Sequence, residues 1–111
     1  MNKLPQLPDA ERWRTLSLTE QMANIGSEVG RTAKWLSKGK ADLAEGAFIR
    51  ALDLFDLTIK YGREGQPGRY AMLRELCRAR DEFAEAVTTA SIPALHSAEA
   101  YLQHFAVRQR M

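Results

Sequence analysis

Residues 16–36, LSLTEQMANIGSEVGRTAKWL, constrain the fold more than any other stretch, because they read as one capped helix with chemically different sides. Ser17 stands where a side-chain oxygen can accept from the first helical turn, and Glu20, three residues on, completes the reciprocal pair of a capping box. Met22, Ile25, Val29, Ala33 and Leu36 recur at helical spacing and form one apolar stripe, with Gly26 and Gly30 beside it. The opposite stripe carries Gln21, Asn24, Glu28, Arg31 and, against expectation for a polar face, Trp35. A helix so divided must bury its apolar stripe against other helices, and a chain of 111 residues supplies them within one domain.

The rest of the chain repeats the pattern. KGK at 38–40 breaks the first helix, with Gly39 suited to a left-handed C-terminal position and the lysines favourable to the helix dipole. A second helix is predicted over 41–61, apolar around half its circumference through Leu43, Ala47, Phe48, Ala51, Leu52, Leu54, Phe55 and Ile59. So wide an arc predicts a central position. GREGQPG at 62–68 ends it, and a third helix over 68–90 directs Tyr70, Leu73, Leu76, Cys77, Phe83, Ala84 and Val87 inward. Ser91-Ile92-Pro93 separates this from a fourth helix over 93–109, whose inward residues are Leu95, Ala98, Leu102, Phe105 and Ala106. Upstream, prolines 5 and 8 predict an extended arm over residues 1–8, followed by a short helical turn through Ala10, Glu11, Arg12, Trp13 and Arg14.

No period-two pattern longer than a few residues interrupts this order. The expected fold class is therefore all-α: a compact antiparallel four-helix bundle over residues 17–111, preceded by an arm and short turn at 1–16. KWLSKGKADLAEGAFIRALDL also has the small-and-large alternation of a tetratricopeptide hairpin, but only one copy is visible, whereas solenoids usually need several.

Composition narrows the functional classes. Basic and acidic residues number 16 and 14, for a net charge of +2, and their signs are interleaved, so a nucleic-acid partner is only weakly supported. No apolar run approaches the ~18 residues needed to cross a bilayer, so no membrane is expected. Cys77 is the only cysteine, which forbids an internal disulfide, and MNKLPQLPDAERW lacks the apolar centre of a secretory signal. Both point to the cytoplasm.

Chemistry is sparse along the chain. Asn24, Glu28 and Arg31 lie one turn apart and share their stripe with Trp35, whose large aromatic side chain favours burial or partner contact. These four are the candidate partner-binding residues. Arg50, Asp53, Asp56 and Lys60 form a second polar strip, and Arg80 projects between apolar residues of the third helix, so Asp53, Asp56 and Arg80 are candidates for a polar network. Glu28, Asp53 or Asp56 could pair with Arg80. No Glu-x-x-His sequence occurs, so the di-iron bundle pattern is absent, and neither His96 nor His104 has a chelating neighbour. Gly62, Gly65 and Gly68 lack the spacing of a phosphate loop and read as turns. Arg63, Arg69, Arg74 and Arg78 place positive charge around the start of the third helix, with Arg108 and Arg110 further on, but aromatic interleaving and net basicity are too weak for a nucleic-acid footprint. No catalytic residue, metal ligand or cofactor is expected.

The strings LSLTEQMANIGSEVGRTAKW and AFIRALDLFDLTI together resemble a family of small prokaryotic helical proteins of uncharacterised activity, a likeness that covers residues 16–59 and more loosely the arginine-rich third helix. That resemblance implies an all-helical bundle and no particular activity. More distantly, size and helical pattern are similar to HEPN domains, which accompany nucleotidyltransferases or act as RNases in toxin systems. The ribonuclease members carry an arginine a few residues before a histidine, and neither His96 nor His104 has one at that distance, so no catalytic residue carries over. The expected function is a protein interaction or self-association module, with an HEPN-like nucleotide- or RNA-associated bundle as the alternative.

Overall fold

The computed structural model describes residues 10–63 and 70–108, which form five helices: α1 (Ala10–Thr15), α2 (Leu18–Ser37), α3 (Ala41–Arg63), α4 (Tyr70–Thr88) and α5 (Ile92–Arg108). No strand occurs among the described residues. The predicted arm at 1–8, most of the 62–68 break and Gln109 lie outside them, as do the side chains of Tyr70 and Ala106.

Local chemistry sets the helix ends. Ser17 takes an extended backbone, its hydroxyl accepts from the Glu20 N–H at 3.1 Å, and the Glu20 carboxylate accepts from the Ser17 N–H at 2.9 Å. The backbone bond first, and then the hydroxyl, hold the Glu20 carboxyl below its ordinary range. That capping contribution is therefore present at neutral pH and is lost as acid protonates the group. At the other end of α2, Gly39 adopts φ 70°, the Lys40 N–H reaches Trp35 O at 2.8 Å and the Gly39 N–H reaches Leu36 O at 3.1 Å. This is a Schellman closure, with glycine in the left-handed position that favours it.

α4 closes in the same way with the wrong residue. The Ser91 N–H bonds Ala86 O at 2.9 Å and the Ala90 N–H bonds Val87 O at 3.0 Å, but Ala90 itself sits at φ 51°. Its Cβ crowds the backbone there, at a cost of about 1 kcal/mol or more. Ala90→Gly is expected to raise stability by about 0.5–1 kcal/mol, the relief of strain being partly offset by the freer unfolded chain. An unchanged or lowered midpoint in urea unfolding would contradict this.

The core forms where the apolar stripes meet. Met22, Ile25, Val29 and Ala33 of α2 join Ala51, Leu54, Phe55 and Ile59 of α3, Leu73, Leu76, Ala79, Phe83 and Ala86 of α4, and Leu95, Leu102 and Phe105 of α5. Phe83 lies 6.1 Å from Phe55 and 5.4 Å from Phe48 between ring centroids, in tilted geometry. The principal contacts run α2 to α3, α3 to α4, α4 to α5 and α5 to α2, with α1 against α3.

Three details depart from the sequence expectations. Contact is most extensive around α2 rather than around the second long helix, because α2 offers one side to α3 and another to α5. Leu43, counted in the apolar arc of α3, is 49% exposed; it stands in the first turn, where the arc outruns its neighbours. On α4 the buried small residues are Ala79 and Ala86, while Ala84 is only half-buried.

Gly26 and Gly30 are where α5 crosses α2. A Cβ on Gly26 would stand 3.6 Å from Leu102 Cβ and Gln103 Cγ, and one on Gly30 would take the space of the Glu99 carboxylate. The absence of side chains at these positions sets how closely α5 approaches.

Candidate functional site

The polar stripe of α2 borders α3, and that placement changes what its residues do. Glu28 is only 5% exposed. Arg31 Nη1 donates to its Oε1 and Arg50 Nε, arriving from α3, donates to its Oε2. The guanidinium of Arg50 lies near Gly46, with Nη1 3.6 Å from where a Cβ would stand. A lone carboxylate at this depth would be costly, and two cations with directed hydrogen bonds offset that cost. The arginine side chains remain 57% and 34% exposed for Arg31 and Arg50 respectively, so both charged heads keep access to solvent. A guanidinium carries five N–H donors, and the bond to Glu28 uses one from each arginine.

Asn24 belongs to the same stripe but is exposed, and its amide donates to Glu20 O in its own helix at 2.9 Å. Trp35 is half-buried near the C-terminal end of α2. Two ammonium groups lie over its ring, Lys34 Nζ at 5.1 Å from the centroid and Lys38 Nζ at 5.8 Å. From residue 28 to residue 40 the chain carries Arg31, Lys34, Lys38 and Lys40 against one acid, Glu28, which is buried and already paired. The structure thus brings Glu28 and Arg31 together, adds Arg50, and leaves a cationic surface with one large aromatic side chain at its end.

Asp53, Asp56 and Arg80 meet elsewhere, on the surface between α3 and α4. Arg80 Nε donates to Asp56 Oδ1 at 2.8 Å and Nη2 to Oδ2 at 3.3 Å. Both partners are substantially solvated, so this pair contributes about 0–1 kcal/mol. The Arg80 side chain is 31% exposed, so its head keeps access to water while it holds the carboxylate. Asp53 sits beside this pair. Desolvation, and secondly the neighbouring Asp56 charge, push its carboxyl above the ordinary range, against an opposing pull from Arg80. A raised acid pKa means that the folded state binds the proton more tightly, so ionised Asp53 weighs against folding at neutral pH and that burden lifts as pH falls. Asp53→Asn is accordingly expected to raise the thermal midpoint at neutral pH, with the gain shrinking towards about pH 4. A gain that grows on acidification would contradict the assignment. Glu28 takes no part in this network; its partners are Arg31 of α2 and Arg50 of α3.

His96 and His104 are exposed, and His96 Nδ1 stands 3.8 Å from Glu99 Oε1. Among the described residues no group of three or more His, Cys, Asp or Glu side chains is placed to hold a metal ion. No helix of the described residues is long and apolar enough to cross a membrane.

A groove of about 460 Å³ opens between α4 and α5. Ala79, Ala86, Ala94 and Ala98 line it as small apolar residues, Glu82 and Glu85 supply carboxylates, and Tyr101 adds an aromatic side chain. Its lining holds no lysine or arginine and none of the candidate partner-binding or polar-network residues read from the sequence. Compared with family models, with curated proteins and with solved structures, the chain finds no match.

Two site features escaped sequence reasoning. Arg50 was legible as a cation on α3, but its pairing with Glu28 spans 22 residues and depends on how α2 faces α3. The groove comes from short side chains on two helices, a signal indistinguishable in sequence from ordinary small residues of a core.

Proposed function

We propose that this chain is a cytoplasmic, antiparallel four-helix bundle that works as a protein interaction module, docking an acidic protein surface on the C-terminal half of α2. The observation that carries the reading is the arginine pair held on buried Glu28, with Trp35 and its two lysines one to two turns further along the same helix. An arginine anchored before binding loses less freedom on meeting a carboxylate, which favours recognition. Trp and Arg are also the residue types that dominate binding energy at interfaces. Asn24 marks the far end of the stripe.

The HEPN-like reading, a nucleotide- or RNA-associated bundle, draws on the same cations. Trp35 is the only aromatic side chain interleaved with the cations of residues 28–40, too few for a base-stacking platform, which favours the protein partner.

A glutamate-rich helical peptide is a direct probe. Trp35→Ala is expected to weaken its binding about tenfold or more, the scale of a modest hot spot, with far-UV helicity unchanged because Trp35 lies outside the fully buried core. Arg31→Glu should weaken it as well, and added salt should weaken the wild type. Peptide binding that ignores both substitutions would overturn the reading, and tighter binding to a homopolymeric RNA than to the peptide would favour the nucleic-acid alternative.

A further inference from the structure

The chain carries a second surface whose charge complements the first. The α4–α5 groove presents Glu82 and Glu85, both exposed, beside a lining of alanines, with no cation among the lining residues. The α2 surface presents Arg31, Lys34 and Lys38, all exposed, around Trp35. An acidic recess with small apolar walls suits an aromatic side chain flanked by lysines: the indole covers the alanines while the ammonium groups meet the carboxylates.

The geometry points to a second copy of this chain as the occupant: the Trp35 face of one molecule seats in the α4–α5 groove of the next. This inference rests on the α2 face being a docking surface, as proposed above, and identifies its partner. The two patches lie on different helices of each molecule, so a pair related by a two-fold axis makes the contact twice, whereas a head-to-tail arrangement makes it once and leaves a face and a groove free for further copies. Head-to-tail contacts close into a ring or continue as an open chain, and in either arrangement the mean particle mass should rise with concentration. The groove is lined by ten described residues, against roughly 20–30 a side in a standard protein interface, which predicts weak, salt-sensitive association.

Two charge-reversed variants test it. Glu82→Lys/Glu85→Lys destroys the groove charge and keeps the α2 face; Lys34→Glu/Lys38→Glu does the opposite. All four side chains are exposed, so far-UV spectra should match the wild type. In light scattering or sedimentation, the wild type is expected to show about a twofold or larger rise in mean mass at up to about 1 mM and to revert to monomer at high salt. Each variant alone should stay monomeric. Mixed, they should associate again, because the intact face of one meets the intact groove of the other and the reversed groove likewise meets the reversed face with opposite charge.

A wild type that stays monomeric throughout would overturn the inference, as would variants that still associate alone or fail to pair when mixed. The reading of the α2 face is tested separately by the glutamate-rich peptide. A monomeric wild type that still binds the peptide through Trp35 removes self-association and leaves that reading standing; loss of both removes both.

Discussion

Replacing Trp13 with alanine should cost about 3–5 kcal/mol of stability, as much as emptying a position at the centre of the core. Trp13 is 4% exposed although it stands in a six-residue helix at the start of the described chain. Its indole N–H donates to Thr58 Oγ1 of α3 at 3.0 Å, and its own carbonyl accepts from Gln21 Nε2 of α2 at 2.9 Å. Removing the side chain opens a cavity between α1 and α3, and the residual contacts of so short a helix would not hold it in place. Trp13→Phe keeps most of the apolar contact and loses the hydrogen bond to buried Thr58, so a smaller loss of about 1–3 kcal/mol is expected. Denaturant midpoints at unchanged slope measure both. A loss below about 1 kcal/mol for alanine would show that α1 is an appendage rather than part of the core.

The second large effect concerns Glu28. Glu28→Ala leaves two guanidiniums beside the α2–α3 contact without their counter-charge, and breaking a fully buried pair in this way typically costs about 3–5 kcal/mol. Because Arg31 and Arg50 keep access to water, about 2–3 kcal/mol is expected. Glu28→Gln keeps one of the two accepting oxygens but sets an amide NH2 against the other guanidinium, so it should recover only part of that loss. Arg31→Ala should change stability by no more than about 1 kcal/mol, since its side chain is mostly solvated. This asymmetry separates the buried carboxylate from an ordinary surface ion pair: equal losses for Glu28 and Arg31 would mean that Glu28 is effectively hydrated.

Features governed by neighbours along the chain were legible before folding. The capping box of Ser17 and Glu20, the left-handed Gly39 and the stripe of Met22, Ile25, Val29 and Ala33 all depend on residues within a few positions of one another. Gly26 and Gly30 likewise marked the side on which a helix could come close, and α5 occupies it. Features governed by distant pairing were not. Trp13 sits in a segment too short to show a helical period, and its partner Thr58 is 45 residues away. Glu28 shares a helical-wheel stripe with Asn24 and Arg31, yet it is buried and they are exposed, because α3 covers one edge of that stripe and not the rest. A wheel shows which side chains share a direction; it holds no information on how far the neighbouring helix reaches. For the same reason Arg80 could be marked as an oddity without its partner Asp56 being known.

The docking role proposed for α2 can be tested on two resonances. The chain has two tryptophans, and their indole N–H groups differ sharply in setting: Trp13 is buried and bonded to Thr58, whereas Trp35 is half-exposed beneath two lysines. In a nitrogen–proton correlation spectrum of the dilute protein, adding a glutamate-rich helical peptide is expected to shift the Trp35 indole signal and the amides around residues 31–38, while the Trp13 signal stays in place. A Trp35 signal that does not move while the peptide binds, or shifts confined to other helices, would contradict the assignment of the α2 face as the docking surface.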